Sequence, residues 1–297
     1  MTAPPLAHAT PHGRMYARSL SEQPSVPSIT TVISQMPNSL GGWFGHMAAS
    51  SLARDPRLPS ALGNPPELRT AIREAASAAE RYRDEAALRG TRVHRYCEQV
   101  ALRALGREEE CDAARLALQE NGEEGFAQRF DEWWELYDVR PVEPELTVWN
   151  AELGYAGTLD LIATIGGRTC LIDYKTKKTD REGFVKALDD KVVMQLVAGM
   201  KAQEALVDPA SGTWRAWEHA EQPLLLGVAV GQTEVRAMRA NPAVLRNHWL
   251  HFCALRRAWE AGLEAVEAGR ALLPIAPPPA RVPVSVPATP DTPAAIA

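Results

Sequence analysis

Residues 155–178 read YAGTLDLIATIGGRTCLIDYKTKK: two apolar, β-branched segments joined by the pair Gly166-Gly167. A two-residue glycine turn between such segments predicts a tight antiparallel hairpin. In that register Ile165 pairs with Arg168. Counting outward by equal steps then pairs Asp160 with Asp173, so these two carboxylates are expected to face each other across the hairpin.

The side-chain alternation of strands divides this hairpin into two faces. Lys175 is expected on the same face as Asp173. The other face is apolar and is predicted to lie in the core; it carries Leu161, Ala163, Ile165, Cys170, Ile172 and Tyr174. Like charges directly opposite in a sheet are destabilising, so a cation is expected between the carboxylates. Mg²⁺ or Mn²⁺ suits such an oxygen-rich site. A proton-sharing pair of carboxylates is the alternative, but it gives the lysine no role.

The flanking sequence predicts a mixed α/β (α+β) domain over 26–272, with an antiparallel meander in its central sheet and helices around it. The Pro-containing segment 1–25 is expected to be a flexible leader, and the Pro-rich segment 273–297 a disordered tail. Further strands are predicted over 145–150, 223–231 and 234–239. Helices are predicted over 66–105 with a break at Gly90 and a new N-cap at Thr91, and over 123–138, 181–206 and 242–268. The aromatic stripe of 123–138 is expected to be core rather than a base-stacking surface.

Composition limits the class of protein. Hydrophobic residues make up 45% of the 297-residue chain and charged residues 23%, with a net charge of −5. No segment is apolar enough to cross a bilayer or to act as a secretory signal, so we expect a cytoplasmic protein without a membrane partner. The four cysteines are scattered, which argues against a zinc ribbon or a disulfide framework. All six lysines fall within residues 175–201, from the end of the hairpin onward.

Four motifs in order resemble the PD-(D/E)XK nuclease superfamily, and most of all its RecB-like branch with phage and CRISPR-associated exonucleases. They are GTRVHRYCE (90–98), GTLD (157–160), IDYKTKK (172–178) and a helix with Gln195. Gly199 stands where that branch usually has a tyrosine after the glutamine. The resemblance implies a restriction-endonuclease-like core. Only Cys253 lies where iron–sulfur members carry a cysteine cluster, so no such cluster is expected.

The resemblance also implies roles for individual residues. Asp160, Asp173 and the backbone carbonyl of Tyr174 would bind one or two Mg²⁺ or Mn²⁺ ions. His94 and Glu98, one helical turn apart, would join them; without the resemblance, a structural role for each is the alternative. Lys175 would orient or deprotonate the attacking water, or stabilise charge on the phosphate. Gln195 would contact the lysine, the water or the phosphate, or else be a core glutamine bonded to backbone.

Several polar residues after the second strand are candidates for binding nucleic acid. Lys177, Lys178 and Arg181 are expected to hold phosphates, and Thr176 either bonds a phosphate or ends the strand. The implied activity is that of a metal-dependent DNase, an exonuclease acting on single strands or duplex ends in recombination, repair or phage DNA processing. A catalytically inactive DNA-binding or assembly subunit and a nuclease of RNA are the alternatives. For each of these activities, the protein could act as a homo-oligomer or together with a recombination partner protein.

Overall fold

The computed structural model describes residues 4–37, 40–219 and 222–278. In chain order the strands are β1 (Ala7–Thr10), β2 (Gly13–Tyr16), β3 (Val26–Pro27), β4 (Arg140–Asn150), β5 (Tyr155–Ile165), β6 (Arg168–Thr176), β7 (Glu204–Asp208), β8 (Thr213–Ala216), β9 (Leu224–Val230) and β10 (Val235–Arg239). The helices are α1 (Ile29–Ile33), α2 (Gly41–Ala53), α3 (Leu58–Ala61), α4 (Pro65–Ala76), α5 (Ala78–Ala104), α6 (Cys111–Glu120), α7 (Glu124–Leu136), α8 (Lys191–Met200) and α9 (Leu245–Glu267). A 3-10 turn, Pro242–Val244, leads into α9.

The centre of the fold is a seven-stranded sheet in the order β10-β9-β6-β5-β4-β7-β8. Strands β4, β5 and β6 form the predicted antiparallel meander. Strand β9 lies beside β6 in parallel, which makes the sheet mixed. Helices cover it on both sides, so the α+β prediction is confirmed at this level.

The two faces of the sheet bury different side chains, as strand alternation requires. One face packs against α5, α6 and α7 and includes the six hairpin residues predicted to be core. The aromatic stripe of α7 belongs to this cluster through Phe126, Phe130 and Trp133, as predicted. The other face buries Ile162 and Leu171 under α8. Polar groups of β5 and β6 on this second face therefore lie near the N-terminal part of α8.

The prediction of a flexible leader over 1–25 is wrong for its described part. Strands β1 and β2 form a hairpin that β3 extends. Leu6 and Tyr16 are fully buried against Trp149 and Ala156 of the central sheet. The prolines of this segment lie outside the two hairpin strands, where a missing N–H breaks no ladder bond. The apolar side chains between them supply the burial that holds the hairpin in place.

Two predicted helix boundaries are also wrong. The break falls at Ser77, and α5 continues through Gly90, because packing along α5 outweighs the roughly 1 kcal/mol helix cost of one glycine. The Thr91 hydroxyl bonds the Ala87 carbonyl inside that helix rather than capping it. The helix predicted over 181–206 is shorter than expected, because only α8 (Lys191–Met200) is helical in that range. The Asp189 carboxylate accepts a hydrogen bond from the Lys191 N–H at its start, and the residues after it form the edge strand β7.

Other predicted elements agree with the structure within a few residues: α7, α9 and the pair β9 and β10. Of the predicted tail, residues 273–278 are exposed and outside regular structure. Residues 279–297, like residues 1–3 of the predicted leader, lie outside the described residues. Cys97, Cys111 and Cys170 are buried free thiols, and Cys253 is a half-buried one.

Candidate functional site

The site is organised by the β5–β6 hairpin. Gly166 and Gly167 both have positive φ, 56° and 75°, as a two-residue hairpin turn requires. The predicted register is confirmed from the Ile165–Arg168 pair to the Leu161–Ile172 pair. Regular pairing ends there, one position before the two aspartates, and the Asp160 Oδ2 atom accepts the Tyr174 N–H at 2.7 Å.

Both aspartates are buried, with Asp160 7% and Asp173 3% exposed. Lys175 Nζ lies 2.6 Å from Asp173 Oδ2. The same Nζ donates to Gln195 Oε1 at 3.2 Å. The contact predicted between Gln195 and the lysine is therefore present. It ties α8 to the end of β6.

The two carboxyl groups have opposite pKa shifts. Burial alone would raise the pKa of Asp160, but the charges of His94 and Lys175 and the Tyr174 N–H outweigh it and lower that pKa. Burial raises the pKa of Asp173 to about 6, with Lys175 opposing the rise and the charge of Asp160 adding to it. Burial also opposes the charged form of Lys175, yet Asp173 and then Asp160 hold its pKa above the usual value. The pair is thus close enough for each charge to influence the other.

Helix α5 brings its predicted ligands to the same place. His94 Nδ1 lies 3.7 Å from Asp160 Oδ2. It is buried and forms no hydrogen bond with any described residue. Glu98, one turn further along α5, is only 8% exposed. Tyr174, whose backbone carbonyl is the remaining predicted ligand, packs its ring edge-on against Phe130 and Trp133 on the other face of β6.

Glu145 is a member of this site to which the sequence analysis assigned no role. In the β4–β5 register, Pro144 pairs with Leu161 and Leu146 with Leu159, so Glu145 is level with Asp160. Its φ of 49° lies in the left-handed region, a local departure from strand geometry within β4. Burial, then the charges of Asp160 and Glu98, raise the pKa of Glu145 to about 9. The neighbouring strands β4, β5 and β6 therefore each contribute one acidic residue.

The N-terminal segment supplies further residues that sequence reasoning missed. A cavity of about 120 Å³ is lined by Asp160, Lys175, Gln195, His94 and Glu145, together with Arg14 and five other residues of segment 4–30. The Tyr16 hydroxyl hydrogen-bonds the Thr158 hydroxyl at 2.9 Å and joins the hairpin to β5. No described carboxylate lies within ion-pair distance of Arg14, which leaves its guanidinium available at the cavity. The only sequence signal was the apolar content of a segment that prolines made look unstructured.

The donor atoms of the site fit a divalent cation. Among the described residues, no three His, Cys, Asp or Glu side chains are already drawn together as a complete metal-binding group. However, His94 Nδ1, Glu145 Oε2 and Asp173 Oδ1 are buried and have no hydrogen-bond partner among the described residues, whereas Lys175 Nζ lies 2.6 Å from the other Asp173 oxygen. Buried polar atoms without partners are costly. Carboxylate oxygens with one imidazole nitrogen form a set that suits Mg²⁺ or, more closely, Mn²⁺.

The predicted nucleic-acid-binding residues separate in the structure. Thr176 ends β6, and its hydroxyl is buried without a described partner. Lys177 and Lys178 line a second cavity, of about 340 Å³, beyond the end of that strand. Arg181 is exposed in the following loop and does not line either cavity. The structure thus brings two of the three predicted phosphate-binding cations together.

A scan against models of known protein families finds none that matches this chain, and a search of curated proteins finds no match either. Within the described residues, no helix has the combination of length and apolar character that crossing a membrane requires. Because neither comparison gives a match, the geometry of the site is the basis for assigning its function.

We expect divalent cations to stabilise the protein more strongly as pH rises. The raised pKa values of Asp173 and Glu145 mean that the folded protein binds protons more tightly than the unfolded chain, so stability without metal falls as pH rises through about 6 and about 9. A bound cation would need the ionised carboxylates and would offset this loss. At a hundredfold excess over Kd, Mn²⁺ should raise Tm by about 5–10 °C at pH 8 and by far less at pH 5. Thermal denaturation with Mn²⁺ or EDTA measures this difference, and a pH-independent shift would contradict it.

Proposed function

We propose that this chain is a metal-dependent nuclease of DNA with a restriction-endonuclease-like core. The observation that carries the proposal is the row of acidic residues Glu145, Asp160 and Asp173 on adjacent strands. Lys175 and His94 lie next to this row and line the same cavity as Asp160. Several of their buried donor atoms lack partners. The order of the motifs, similar to that of the PD-(D/E)XK superfamily, supports the same assignment. In this proposal the protein acts on DNA in the cytoplasm, alone, as a homo-oligomer or with a recombination partner.

Asp160, Asp173 and His94 would hold the ion, with Glu145, Glu98 and the Tyr174 carbonyl as further candidate ligands. When bound, a divalent ion activates water and neutralises charge on a phosphoryl group. The opposite pKa shifts of the aspartates suit this role: the lowered pKa keeps Asp160 ionised, whereas the raised pKa of Asp173 means that its ionised form would be favoured by a nearby positive charge.

Lys175 would act on the scissile phosphate and the water next to it. Its ammonium is held by Asp173 and Gln195, and its raised pKa keeps it charged at neutral pH. A charged lysine stabilises negative charge on the phosphate and orients water through its N–H groups. This argues for orientation and charge stabilisation rather than for proton abstraction by a neutral amine. Gln195 would be a positioning residue that keeps Nζ aimed at the cavity.

The test is hydrolysis of end-labelled linear DNA with Mg²⁺ or Mn²⁺, in single-stranded and duplex form, beside RNA of matched sequence. We expect metal-dependent release of nucleotides from DNA. If no substrate is cleaved with either ion, the enzyme proposal fails, and metal-independent DNA binding would then favour the inactive subunit. Preferential cleavage of the RNA would replace DNA as the substrate.

Arg14→Ala should lower kcat/KM on DNA by about 10- to 100-fold. Arg14 lines the cavity with Lys175 and has no described carboxylate within ion-pair distance, and a charge-assisted hydrogen bond to a phosphate is worth about 1.5–3 kcal/mol. Steady-state kinetics at two salt concentrations measures this loss. Arg14→Lys should recover part of it, and Arg83→Ala, which removes an exposed arginine paired with Asp84, is the control. An unchanged kcat/KM for Arg14→Ala would remove Arg14 from the site.

A further inference from the structure

A group of aromatic side chains lies at the surface, on the part of α5 that precedes His94 and on neighbouring α2. Trp43 and Phe44 on α2 have ring centroids 5.3 Å apart, and Trp43 and Tyr82 on α5 are 5.8 Å apart. None of the three is buried, and Phe44 is 39% exposed. Helix α2 has no buried residue along its whole length. These rings therefore do not form part of a core.

The aromatic group is connected to the catalytic strand through Lys178. Its Nζ lies 4.3 Å from the centre of the Tyr82 ring, and it follows Lys175 closely in the chain. Lys177 and Lys178 line the second cavity together with Arg89 of α5. Helix α5 also carries His94, which at 1.5 Å per residue places Tyr82 roughly 18 Å along the helix axis from the candidate metal ligand. Cations and rings thus form a continuous path away from the site.

The charges along this path favour a polyanion. Arg89 is bound by the buried carboxylate of Glu123, 3.1 Å away. By contrast, no carboxylate in the described part of the chain forms an ion pair with Lys177 or Lys178. Two lysines with no counter-charge among the described residues, one of them against a partly exposed ring, are notable in a chain of net charge −5. Phosphates can bind such lysines while bases stack on the rings, which is the chemistry of single-strand binding sites.

We propose that Trp43, Phe44 and Lys178 form a binding track for single-stranded DNA that leads into the catalytic site. The inference rests on the proposed function and deepens it by naming the single strand as substrate. Bases in a duplex are stacked on each other and do not present free faces to the rings. At about 3.4 Å per stacked nucleotide, the roughly 18 Å path accommodates on the order of five nucleotides.

The test compares binding and chemistry in the full chain. Fluorescence anisotropy with labelled oligo(dT)12 in EDTA measures binding without cleavage. Phe44→Ala and Trp43→Leu should each weaken binding at least about fivefold, and Trp43→Phe should retain most of it. Ile72→Ala, which truncates an exposed apolar residue of neighbouring α4, is the matched control. Lys178→Gln should lower the salt dependence by about 0.7 in log–log slope.

A second readout separates the track from the catalytic centre. Hydrolysis of thymidine 5′-(p-nitrophenyl phosphate), too short to reach the rings, should be unchanged in Phe44→Ala and Trp43→Leu. The track would be overturned if Phe44→Ala and Trp43→Leu lost as much activity on this ester as on DNA. It would also be overturned if they weakened binding to a blunt duplex as much as binding to oligo(dT)12, or if they bound oligo(dT)12 as tightly as Ile72→Ala does. If the wild type binds oligo(dT)12 through these rings but cleaves no phosphodiester, the track stands and the proposed nuclease activity fails.

Discussion

Asp173→Asn should lower metal-dependent DNA hydrolysis by about 10³-fold or more and yet change the stability of the folded protein little. The loss follows because the ion contributes several kcal/mol to the transition state and the amide no longer holds it. The effect on the free energy of unfolding depends on the same environment. Burial raises the pKa of Asp173 to about 6. Ionising that carboxylate at pH 8 without metal therefore costs roughly 3 kcal/mol relative to the unfolded chain. Asparagine has the same shape and carries no charge to desolvate, but it also removes the carboxylate that pairs with Lys175, so the two effects oppose each other.

Cleavage assays and denaturant unfolding in EDTA measure the two quantities on one preparation. Asp160→Asn should lose activity to the same degree but should not gain stability, because the surroundings of Asp160 lower its pKa and favour its charge. Asp84→Asn, at an exposed ion pair with Arg83, is the control for both measurements. An Asp173→Asn protein that cleaves DNA normally would remove Asp173 from the catalytic centre.

Lys175→Met should lower kcat by about 10²- to 10⁴-fold while divalent cations still bind. Methionine keeps much of the aliphatic volume but removes the charge beside Asp173 and the hydrogen bond to Gln195. Loss of that charge removes one of the interactions that favour ionised Asp160 and Asp173. Stability in EDTA at pH 8 is therefore expected to fall, and added Mn²⁺ should restore more of it than in the wild type.

Isothermal titration with Mn²⁺ in the absence of DNA, together with single-turnover cleavage, distinguishes this variant from the aspartate variants. Gln195→Ala should have a smaller effect on kcat than Lys175→Met because the lysine keeps its ion pair with Asp173. Lys191→Met, in the first turn of α8, tests whether removal of any nearby lysine has the same effect. A Lys175→Met protein that has lost Mn²⁺ binding would indicate that the lysine organises the carboxylates rather than serving the phosphate.

The errors in the predicted fold have a common physical origin. The prolines of 1–25 and the glycine at position 90 predict a flexible leader and a helix break, but such residues report only local preference. Burial of Leu6 and Tyr16, and packing along α5, supply more free energy than those preferences oppose. The helix predicted over 181–206 was too long for a related reason. Its last residues satisfy their backbone groups by joining the sheet as β7.

The sequence by itself determined the register of the β5–β6 hairpin and, from it, the meeting of Asp160, Asp173 and Lys175. It could do so because a two-residue glycine turn leaves one register, and strand alternation then assigns every side chain to a face. Tertiary structure alone decided that Glu145 and Arg14 join them. The connection from β4 to β5 is longer than a tight turn, and Arg14 is far from the hairpin in the chain. Their positions depend on how β4 pairs and how the N-terminal hairpin packs against the sheet, and no local pattern encodes either.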